Sequence, residues 1–538
     1  MKTRLLASIL TLSAFTGFTQ VQLQFQKAHD FGAEDFGNKV IKSGSHYYVA
    51  GSSTSNASST YDAVLQRTDE EGTDNGGGQL DFGGAESGSD ICRTSTGEVI
   101  LVGRSNALST SPAGVNDMLV LRLNSGGEPA WVQVFGSDST ENAQDVVEGN
   151  DGHIVIVGQS KRRSSDRTDA MVVKLDSADG SIIWAKEIGS EFINEGVHSI
   201  VATGDGYVIG GWSGANVIGL NEGFIMGLSE SGEKDFVAFI GGPGDDEIKS
   251  VVPGTVGDYI FVVGNTRDIG AGGGDVFVGR IDANSQPPAL NWFKTYGSTG
   301  NESLQQAIGI NGKIVMTGTT NGFGNGQEGF LLQIDEDGNI DWSNVYGGAQ
   351  DDYLQGVTSD DNGGFLAVGY SNSFAGTGND IWIVNVDASG NSTCSQTTVT
   401  FATESISIPS VARFDFMNVA LDDITSTDVT LTPRQGGPDF GGNPVTTNTL
   451  CLTVDVADVN ENVEFGLYPI PTDNVLNVTF PSDDVYNVSI YAVDGRVVYS
   501  GSFSGLNSRM SVEHLVAGVY VLEAVSEKGK WTSKVLKN

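Results

Sequence analysis

Short apolar runs alternate with glycine-rich and acidic turns along most of the chain, and the clearest unit lies between Ile340 and Gly390. It contains four runs of about five to eight residues rich in β-branched and aromatic side chains, bounded by Gly, Asn and Asp. Runs of this length and composition, separated by such residues, indicate strands and turns. The unit therefore predicts a four-stranded antiparallel sheet.

Copies of this unit recur through the first three quarters of the chain. A glycine that follows an aromatic or aliphatic residue recurs at Gly32, Gly83, Gly136, Gly189, Gly241, Gly297 and Gly347. A Gly-x-Ser/Thr sequence recurs in step at Gly51, Gly103, Gly158, Gly211, Gly264, Gly318 and Gly369. Self-similarity at a period near 50 residues is typical of propellers and solenoids. The all-β pattern predicts a seven-bladed β-propeller over residues 21–390, because radial repetition leaves only short sheet edges.

Four strands, a to d, can be assigned in each unit. Strand a follows an acidic loop, b ends in Gly-x-Ser/Thr, c follows an acidic residue and d precedes the landmark glycine. The chain opens on a d strand, Leu23 to His29, and its repeats end on a c strand, Ile381 to Val386. We therefore expect the first strand to complete the seventh blade, since that pairs an otherwise open edge.

The two flanks of the repeats differ from them in composition. Residues 1–20 carry Lys2 and Arg4 before an apolar run, which predicts a secretory signal peptide. Residues 391–455, rich in Thr, Ser and Val, predict a small β appendage followed by a linker over 456–462. Cys394 and Cys451 bracket this appendage, and cysteines in exported chains commonly pair, so we expect a disulfide between them. Cys92, within a strand, is interpreted as a small structural residue.

Residues 463–538 contain about seven short alternating runs, which predict a C-terminal β-sandwich. This region resembles the C-terminal sorting domain of type IX secretion cargo. The matching residues are Tyr468, Pro469, Pro471, Thr472, Leu476, Val478, Ile490, Tyr491, Asp494, Gly495, Arg496, Leu515, Gly518, Tyr520, Lys534 and Lys537. Ile470 stands where the family usually has Asn. The resemblance implies the type IX machinery as a partner and transport through the periplasm to the cell surface or the medium.

The repeats also resemble the propeller repeats found in such cargo. Their Gly-x-x-x-Trp turns, Gly127 to Trp131, Gly180 to Trp184 and Gly338 to Trp342, are similar to the tryptophan-docking motif of quinoprotein propellers. This similarity implies a fold and no reaction.

The charge of the chain limits its partners. With 29 basic and 67 acidic residues its formal net charge is −38 at pH 7, which disfavours nucleic acid and anionic lipid surfaces. No later apolar run is long enough to span a bilayer, so we expect no membrane insertion and a monomeric protein. The acidity is explained either by solubility outside the cell or by cation binding.

Acidic residues recur in the loops that join strand d to the next strand a. Besides Glu34, Asp35, Glu86 and Glu247, the candidate ligand-binding residues are Asp138, Glu141, Glu195, Asp245, Asp246, Glu302, Asp351 and Asp352. They form either a ring of oxygen ligands for Ca²⁺ or a cationic partner, or a set of turn-forming acceptors. Because they recur in every copy, the structural interpretation is favoured. We expect no cofactor, with Ca²⁺ as the open alternative.

One loop of the third blade, QSKRRSSDRTD, is basic and holds Lys161, Arg162, Arg163 and Arg167. These side chains either neutralise neighbouring acids or contact an anion or a sugar acid. The long loops from strand b to strand c differ among the copies, and loops on a rigid scaffold commonly carry function.

No catalytic constellation is evident. The five histidines show no metal-ligand spacing, and no nucleophile elbow, phosphate loop or zinc pattern is present. The sequence therefore favours a secreted or cell-surface binding module for a glycan or a protein. The alternative is an extracellular polysaccharide-active hydrolase or lyase.

Overall fold

The computed structural model of the chain describes residues 22–32, 34–54, 60–107, 115–136, 140–162, 167–189, 193–214, 220–242, 244–255, 259–267, 269–282, 288–324, 326–374, 378–392, 395–405, 425–428, 432–434, 439–441, 446–455, 466–468, 472, 474–480, 483–492, 496–526 and 529–537. Regular structure in these residues is entirely β. Among these residues no helix has the length and hydropathy of a membrane span. The predicted signal peptide and Cys394 lie outside the described residues, as does the side chain of Cys451.

The repeats form seven antiparallel sheets, each built from strands a, b, c and d in order. The a strands are β2 (Glu34–Ser43), β6 (Glu86–Arg93), β10 (Thr140–Glu148), β14 (Glu195–Thr203), β18 (Asp246–Pro253), β22 (Glu302–Ile310) and β26 (Asp352–Ser359). The b strands are β3 (His46–Thr54), β7 (Val99–Ser105), β11 (Ile154–Arg162), β15 (Gly206–Ser213), β19 (Tyr259–Thr266), β23 (Lys313–Thr320) and β27 (Phe365–Ser371). The c strands are β4 (Tyr61–Thr68), β8 (Asp117–Leu123), β12 (Arg167–Leu175), β16 (Glu222–Ser229), β20 (Asp275–Asp282), β24 (Glu328–Asp335) and β28 (Asp380–Val386). The d strands are β5 (Asp74–Asp81), β9 (Pro129–Gly136), β13 (Ile182–Gly189), β17 (Lys234–Ile240), β21 (Ala289–Gly297), β25 (Ile340–Tyr346) and β1 (Gln22–Asp30).

The sheets pack as the blades of a propeller. Each a strand contacts the a strands of both neighbouring blades, and β26 of the seventh blade contacts β2 of the first, so the a strands surround the centre of a closed ring. Hydrophobic clusters fill the spaces between neighbouring blades. Both faces of a blade are therefore covered, which explains continuous buried runs such as the one in β8.

The predicted closure of the ring is confirmed. Strand β1 pairs with β28 in antiparallel register, with Phe25 opposite Asn385 and His29 opposite Ile381. Phe25 is fully buried and packs with Val49, Val368 and Ile383, which come from the first and seventh blades. The first strand of the chain thus holds its last blade to its first.

The tryptophan turns of the sequence are contacts between successive blades. The indole Nε1 of Trp131 donates a hydrogen bond to the carbonyl oxygen of Ser177, which lies in the c-to-d turn of the next blade, at 3.1 Å. Gly180 of that turn has a φ of 74°, and a Cβ there would lie 3.0 Å from the Trp131 ring. Glycine is required at this position because a side chain would be strained and would displace the indole.

Residues 391–455 are β-structured, as expected, but their described strands do not form a sheet of their own. Each adds a fifth strand to the d strand of a blade. They are β29 (Gln396–Thr398) on β25, β30 (Ala402–Ser405) on β21, β31 (Thr425–Asp428) on β13, β32 (Thr432–Arg434) on β9, β33 (Asp439–Gly441) on β5 and β34 (Thr446–Asp455) on β1. We call this segment the belt. It covers outer sheet edges that would otherwise present unpaired backbone groups.

The C-terminal region is a separate compact unit, Val454–Asn538, distinct from Leu23–Thr453. One sheet contains β35 (Gly466–Tyr468), β36 (Val475–Thr479) and β39 (Asn507–Ser511). The other contains β37 (Val485–Ala492), β38 (Val497–Ser504), β40 (Gly518–Ser526) and β41 (Gly529–Lys537). Leu476, Val488, Ile490 and Leu522 are among the buried residues of their common core. The predicted β-sandwich is confirmed.

Candidate functional site

The acidic residues at the start of strand a belong to a polar row that crosses each blade. In the second blade Glu86 lies opposite Ser105 of strand b, and Ser105 lies opposite Asp117 of strand c. The hydroxyl of Ser105 donates to Glu86 Oε1 at 2.8 Å. In the sixth blade the hydroxyl of Thr320 donates to Glu302 Oε1 at 2.6 Å. The Gly-x-Ser/Thr landmark of the sequence thus supplies a hydroxyl for the acid of strand a.

The same acids accept backbone hydrogen bonds from the turn that precedes them. Gly242 N donates to Asp246 Oδ2 at 2.6 Å, Ser298 N donates to Glu302 Oε2 at 2.7 Å, and Gly348 N donates to Asp352 Oδ2 at 2.6 Å. A carboxylate that accepts such bonds fixes the conformation of the turn. This is the structural interpretation that the recurrence of the acids favoured.

The acid of strand c explains the landmark glycines of the second, third and fifth blades. A Cβ built at Gly136 would overlap the carboxylate of Asp117, and one built at Gly297 would overlap the carboxylate of Asp275. The end of strand d therefore passes directly over a carboxylate, and only glycine leaves room for it.

Carboxyl groups of neighbouring blades face one another at the junctions between blades. Burial and the charges of Asp62 and Asp81 raise the pKa of Glu86 to about 7. Burial and the charges of Asp30, Asp35 and Glu34 raise the pKa of Asp380 to about 7. Because no salt bridge reaches these groups from the described lysines and arginines, they are electrostatically uncompensated within that part of the chain.

An aromatic cluster lies where the seventh blade meets the first, on the face that carries the d-to-a and b-to-c loops, here called the bc face. Tyr353 and Tyr370 are cross-strand partners whose rings stack at 4.6 Å. Phe36 of the first blade packs edge-on against Tyr370 at 4.8 Å and lies 6.1 Å from Tyr61, which is 40% exposed. Burial and Tyr353 raise the pKa of Tyr370 to about 12, so its hydroxyl stays protonated. We call these four residues the aromatic seam.

An open cavity of about 560 Å³ adjoins the aromatic seam through Tyr353. Its other lining residues come from the b-to-c loop of the sixth blade and the following d-to-a loop, and they are Asn321, Gly324, Gly326, Gln327 and Asp351. Asp351 Oδ1 accepts a hydrogen bond from Gln327 N at 2.9 Å, which ties the two loops together. Amide and carboxylate groups therefore stand beside a half-buried tyrosine.

A second polar cluster lies on the a strands of the fourth and fifth blades. Glu247 Oε2 is 3.1 Å from Lys249 Nζ and 3.5 Å from His198 Nε2. Burial opposes ionisation, but hydrogen bonding from His198 and the charge of Lys249 lower the pKa of Glu247 to about 2. Burial lowers the pKa of His198. Glu247 is thus an ionised, paired carboxylate, which suits charge balance better than general acid chemistry.

Neighbouring a strands are joined by polar residues that follow a bulge. Val146 N donates to Asp90 Oδ2 at 3.0 Å and Ile200 N donates to Asp145 Oδ2 at 2.9 Å, each across a blade junction. Lys39 Nζ lies 3.3 Å from Asp90 Oδ1. Sequence reasoning missed these residues, although a polar residue recurs at the same place after the bulge as Asp90, Asp145, Ser199, Ser250 and Gln306.

The structure divides the predicted site residues into three groups. Those at most 3% exposed are Glu141, Glu195, Asp246, Glu302 and Asp352. These side chains face inward and do not form the open ring that a soluble cationic partner would need. Asp351 is exposed, and Asp245 lies 3.5 Å from Arg267 Nη1. Asp138 and Arg163 lie outside the described residues.

Of the basic residues, Lys161 and Arg162 end β11 and Arg167 begins β12, at the tip of that hairpin on the bc face. Lys161 is opposite Thr168 and Arg162 is opposite Arg167, and Lys161 is exposed. Two c-to-d turns, DSADG at 176–180 and DEDGN at 335–339, resemble fragments of calcium-binding loops, but their carboxylates accept hydrogen bonds within the turns. Asp335 Oδ1 accepts from Asn339 N at 2.8 Å, and Asp176 Oδ1 accepts from Ala178 N at 2.8 Å.

The C-terminal sandwich is the part of the chain that a known family matches. Residues 466–538 match the family described as the secretion system C-terminal sorting domain. These residues are a sorting domain. The sorting domain directs export by the type IX secretion system to the cell surface or the extracellular space.

Similar solved structures include PorZ, a surface component of the type IX secretion system of Porphyromonas gingivalis. It has a TM-score of 0.33 and 11% identity, over 93% of this chain and 69% of PorZ. An α-L-arabinanase from Penicillium chrysogenum has a TM-score of 0.37 and 10% identity, over 55% of this chain and 92% of the arabinanase. An ulvan lyase, a polysaccharide lyase, has a TM-score of 0.37 and 10% identity, over 67% of this chain and 96% of the lyase. No curated protein matches the chain in sequence. At these identities none of them assigns an activity to this chain.

Proposed function

We propose that this exported chain is a binding module whose ligand is a glycan held on the bc face by the aromatic seam and the adjoining cavity. The observation that supports it is the continuity between the two: Tyr353 stacks on Tyr370 and also lines the cavity. The site spans the sixth, seventh and first blades, and thus depends on closure of the ring.

The chemistry of the site suits a sugar ring. The C–H face of a sugar packs against an aromatic face, while its hydroxyls need donors and acceptors around the rim. Tyr370 and Tyr353 supply the aromatic surface, and Asn321, Gln327 and Asp351 supply polar groups.

A glycan array probed with the full chain tests this function. We expect binding to a defined class of glycan, and Tyr353→Ala and Tyr370→Ala should each weaken it about tenfold or more, because stacked aromatic anchors carry much of a binding energy. Tyr468→Ala is the matched control, since Tyr468 is an exposed tyrosine, 56% accessible, in the sorting domain. Absence of glycan binding, or equal losses in the control, would exclude the proposal and leave a protein ligand to be sought.

Incubating a glycan that binds with the protein, and then analysing the glycan for new chain ends, distinguishes a binding module from an enzyme. A binding module leaves the glycan intact at saturation. An extracellular hydrolase or lyase would release products, and Asp351→Asn, in the cavity, is the first variant to examine for lost turnover.

The basic hairpin is proposed as a secondary contact on the same face. Lys161, Arg162, Arg163 and Arg167 would attract a carboxylate or sulfate group of an acidic glycan. Its contribution is expected to depend on salt, since exposed charges are screened within about 8 Å at physiological ionic strength.

A further inference from the structure

Three carboxylates converge where the ring closes. Asp30 ends strand β1, Asp35 lies at the start of β2, and Asp380 begins β28. One oxygen from each lies within 4.8 Å of the others. The three residues come from the closing strand, from the first blade and from the c strand of the seventh blade, so the cluster joins all the elements that meet at the closure.

Asp380 is buried in this cluster without a partner. Its side chain is 2% exposed, and among the described residues it accepts no hydrogen bond and forms no ion pair; its Oδ2 is fully buried. Its neighbours are negative, because Asp30, Asp35 and Glu34 all face it. Burying a carboxylate against other carboxylates is strongly unfavourable unless a proton or a cation compensates it.

The next junction repeats the arrangement with different residues. Asp81 ends strand β5, Glu86 begins β6 and Asp62 lies at the start of β4, and one oxygen of each is again within 4.8 Å of the others. Asp62 is 5% exposed and likewise has no hydrogen bond or ion pair among the described residues. Two independent clusters thus share one geometry: the end of a d strand, the start of the next a strand and the start of the c strand.

The third carboxylate distinguishes these two junctions from the others. Asp30 and Asp81 lie in strand register opposite the acids at the start of β28 and β4, and at this place the remaining d strands reach Gly136, Gly189, Gly241, Gly297 and Gly347. Within the described part of the chain, three carboxylates come within 4.8 Å of one another only at the closure of the ring and at the junction of the first and second blades. The fold alone needs only two acids at this place, as in the second blade, where Gly136 lies opposite Asp117.

We propose that each of these two clusters binds a divalent cation, Ca²⁺ by its ligand chemistry. Hard cations take carboxylate and carbonyl oxygens, and Ca²⁺ accepts irregular sets of about six to eight oxygens at roughly 2.3–2.6 Å. Oxygens on opposite sides of Ca²⁺ are then about 4.6–5.2 Å apart, which the spread of each cluster allows. Histidine and cysteine, which favour zinc and copper, are absent from both clusters.

The cation at the closure would link the N-terminal strand to both blades that it joins. Asp35 Oδ2 accepts hydrogen bonds from Phe31 N at 2.7 Å and Gly32 N at 3.2 Å, so a metal bound to Asp35 also rigidifies the turn after β1. A ligand that binds the folded state and not the unfolded state raises the stability of the fold. Ca²⁺ should therefore hold the propeller closed.

Equilibrium dialysis of the full chain against ⁴⁵Ca²⁺ at pH 7.5, with excess Mg²⁺ to suppress non-specific binding, tests the proposal. We expect about two Ca²⁺ per chain. Asp380→Asn and Asp62→Asn should each remove one, and the double variant should remove both. Asp117→Asn is the matched control, because it alters the corresponding strand c acid in the second blade, where Gly136 replaces the third carboxylate, and it should retain two.

Thermal unfolding provides the second readout. Ca²⁺ should raise the Tm of the wild-type chain relative to EDTA, and the rise should be lost in the Asp380→Asn, Asp62→Asn double variant. If Asp380→Asn fails to fold, Asp30→Asn tests the same cluster from its more accessible side. No bound Ca²⁺, or an unchanged stoichiometry in these variants, overturns the proposal, since diffuse binding to an acidic surface would not depend on them.

Discussion

The indole Nε1 of Trp342 donates a hydrogen bond at 3.0 Å to the carbonyl oxygen of Ala388, 46 positions later in the chain. Trp131 and Trp184 make the same bond to residues 46 positions ahead, Ser177 and Glu230. Trp292 occupies the equivalent place in the fifth blade, but its buried Nε1 has no hydrogen-bond partner among the described residues. Among these four tryptophans, therefore, three bond to the turn of the next blade and one only packs against it.

This difference predicts unequal effects of Trp→Phe substitutions. Trp184→Phe and Trp342→Phe should each destabilise the propeller by about 1 kcal/mol more than Trp292→Phe, because a typical intramolecular hydrogen bond contributes about that much. All three variants lose the packing of an indole ring, so the difference between their free energies of unfolding measures the contribution of the indole hydrogen bond. Urea unfolding measures it, and equal losses in all three would contradict the assignment.

The uncompensated carboxyls predict a pH dependence in metal-free protein. Glu86 and Asp380 have pKa values of about 7 in the folded chain, above their ordinary values of 4.5 and 3.8. The folded state therefore binds more protons than the unfolded state between these limits, and stability falls as pH rises. In EDTA the Tm should be higher at pH 6.5 than at pH 8.5.

The comparison stops at pH 6.5 because, at lower pH, protonation of a histidine favours the unfolded state and opposes the effect of the carboxyls. Burial and Lys27 lower the pKa of His29 from 6.5 to about 3, so the unfolded state takes up its proton first as pH falls. The double variant Glu86→Gln, Asp380→Asn should flatten the Tm between pH 6.5 and pH 8.5. An unchanged slope would show that other groups titrate there.

Closure of the ring can be tested at Phe25. Phe25→Ala removes a fully buried ring from the junction of the seventh and first blades and should cost about 3–5 kcal/mol. Hydrogen exchange should accelerate locally in β1 and in its partners β28 and β34. Phe224→Ala, at an equally buried position facing the third blade, should lower global stability without this local signature.

The division into two units predicts the outcome of truncation. A chain ending at Asp455 keeps strand β34 and the whole unit Leu23–Thr453, so it should fold with an unchanged Tm for the propeller transition. Lacking the sorting domain at 466–538, it should accumulate in the periplasm. Fractionation followed by surface proteolysis measures this, and normal surface display would contradict the assigned role.

The basic hairpin predicts a change in salt dependence and none in folding. Replacing Lys161, Arg162 and Arg163 with Ser should alter stability by less than about 0.5 kcal/mol, as exposed substitutions usually do. Binding of an acidic glycan should weaken and become less sensitive to salt, while binding of a neutral glycan should not change. Equal affinities and salt slopes for wild type and variant would remove the hairpin from the site.

The repeats made the propeller predictable because many of the landmark positions have a local physical cause. Gly297 recurs since a carboxylate occupies the space of its side chain, and Ser105 recurs since it donates to Glu86. What the sequence could not predict is the burial of acids such as Glu302, which is decided by packing between blades. The position of Glu302 beside a loop suggests an exposed side chain, whereas the structure buries it.

The aromatic seam was missed for a different reason. Phe36 and Tyr370 are separated by more than three hundred positions and meet only because the ring closes. The closure itself was predicted, so asking which residues it brings together would have found them. The belt left no comparable signal, because its strands do not repeat and are stabilised by sheet edges elsewhere in the chain.

The belt also fixes an order of events for a chain made from its N-terminus. The repeats form the blades in ascending order along the chain. The belt then passes the blades in the opposite order: it pairs with the d strands of the sixth, fifth, third, second and first blades, and finally with β1. A chain halted before Asn391 would still expose the d edges of all these blades. The belt is therefore complete only when the residues just ahead of the sorting domain have been made, so a chain that carries its export signal also carries every strand that the propeller needs to finish folding.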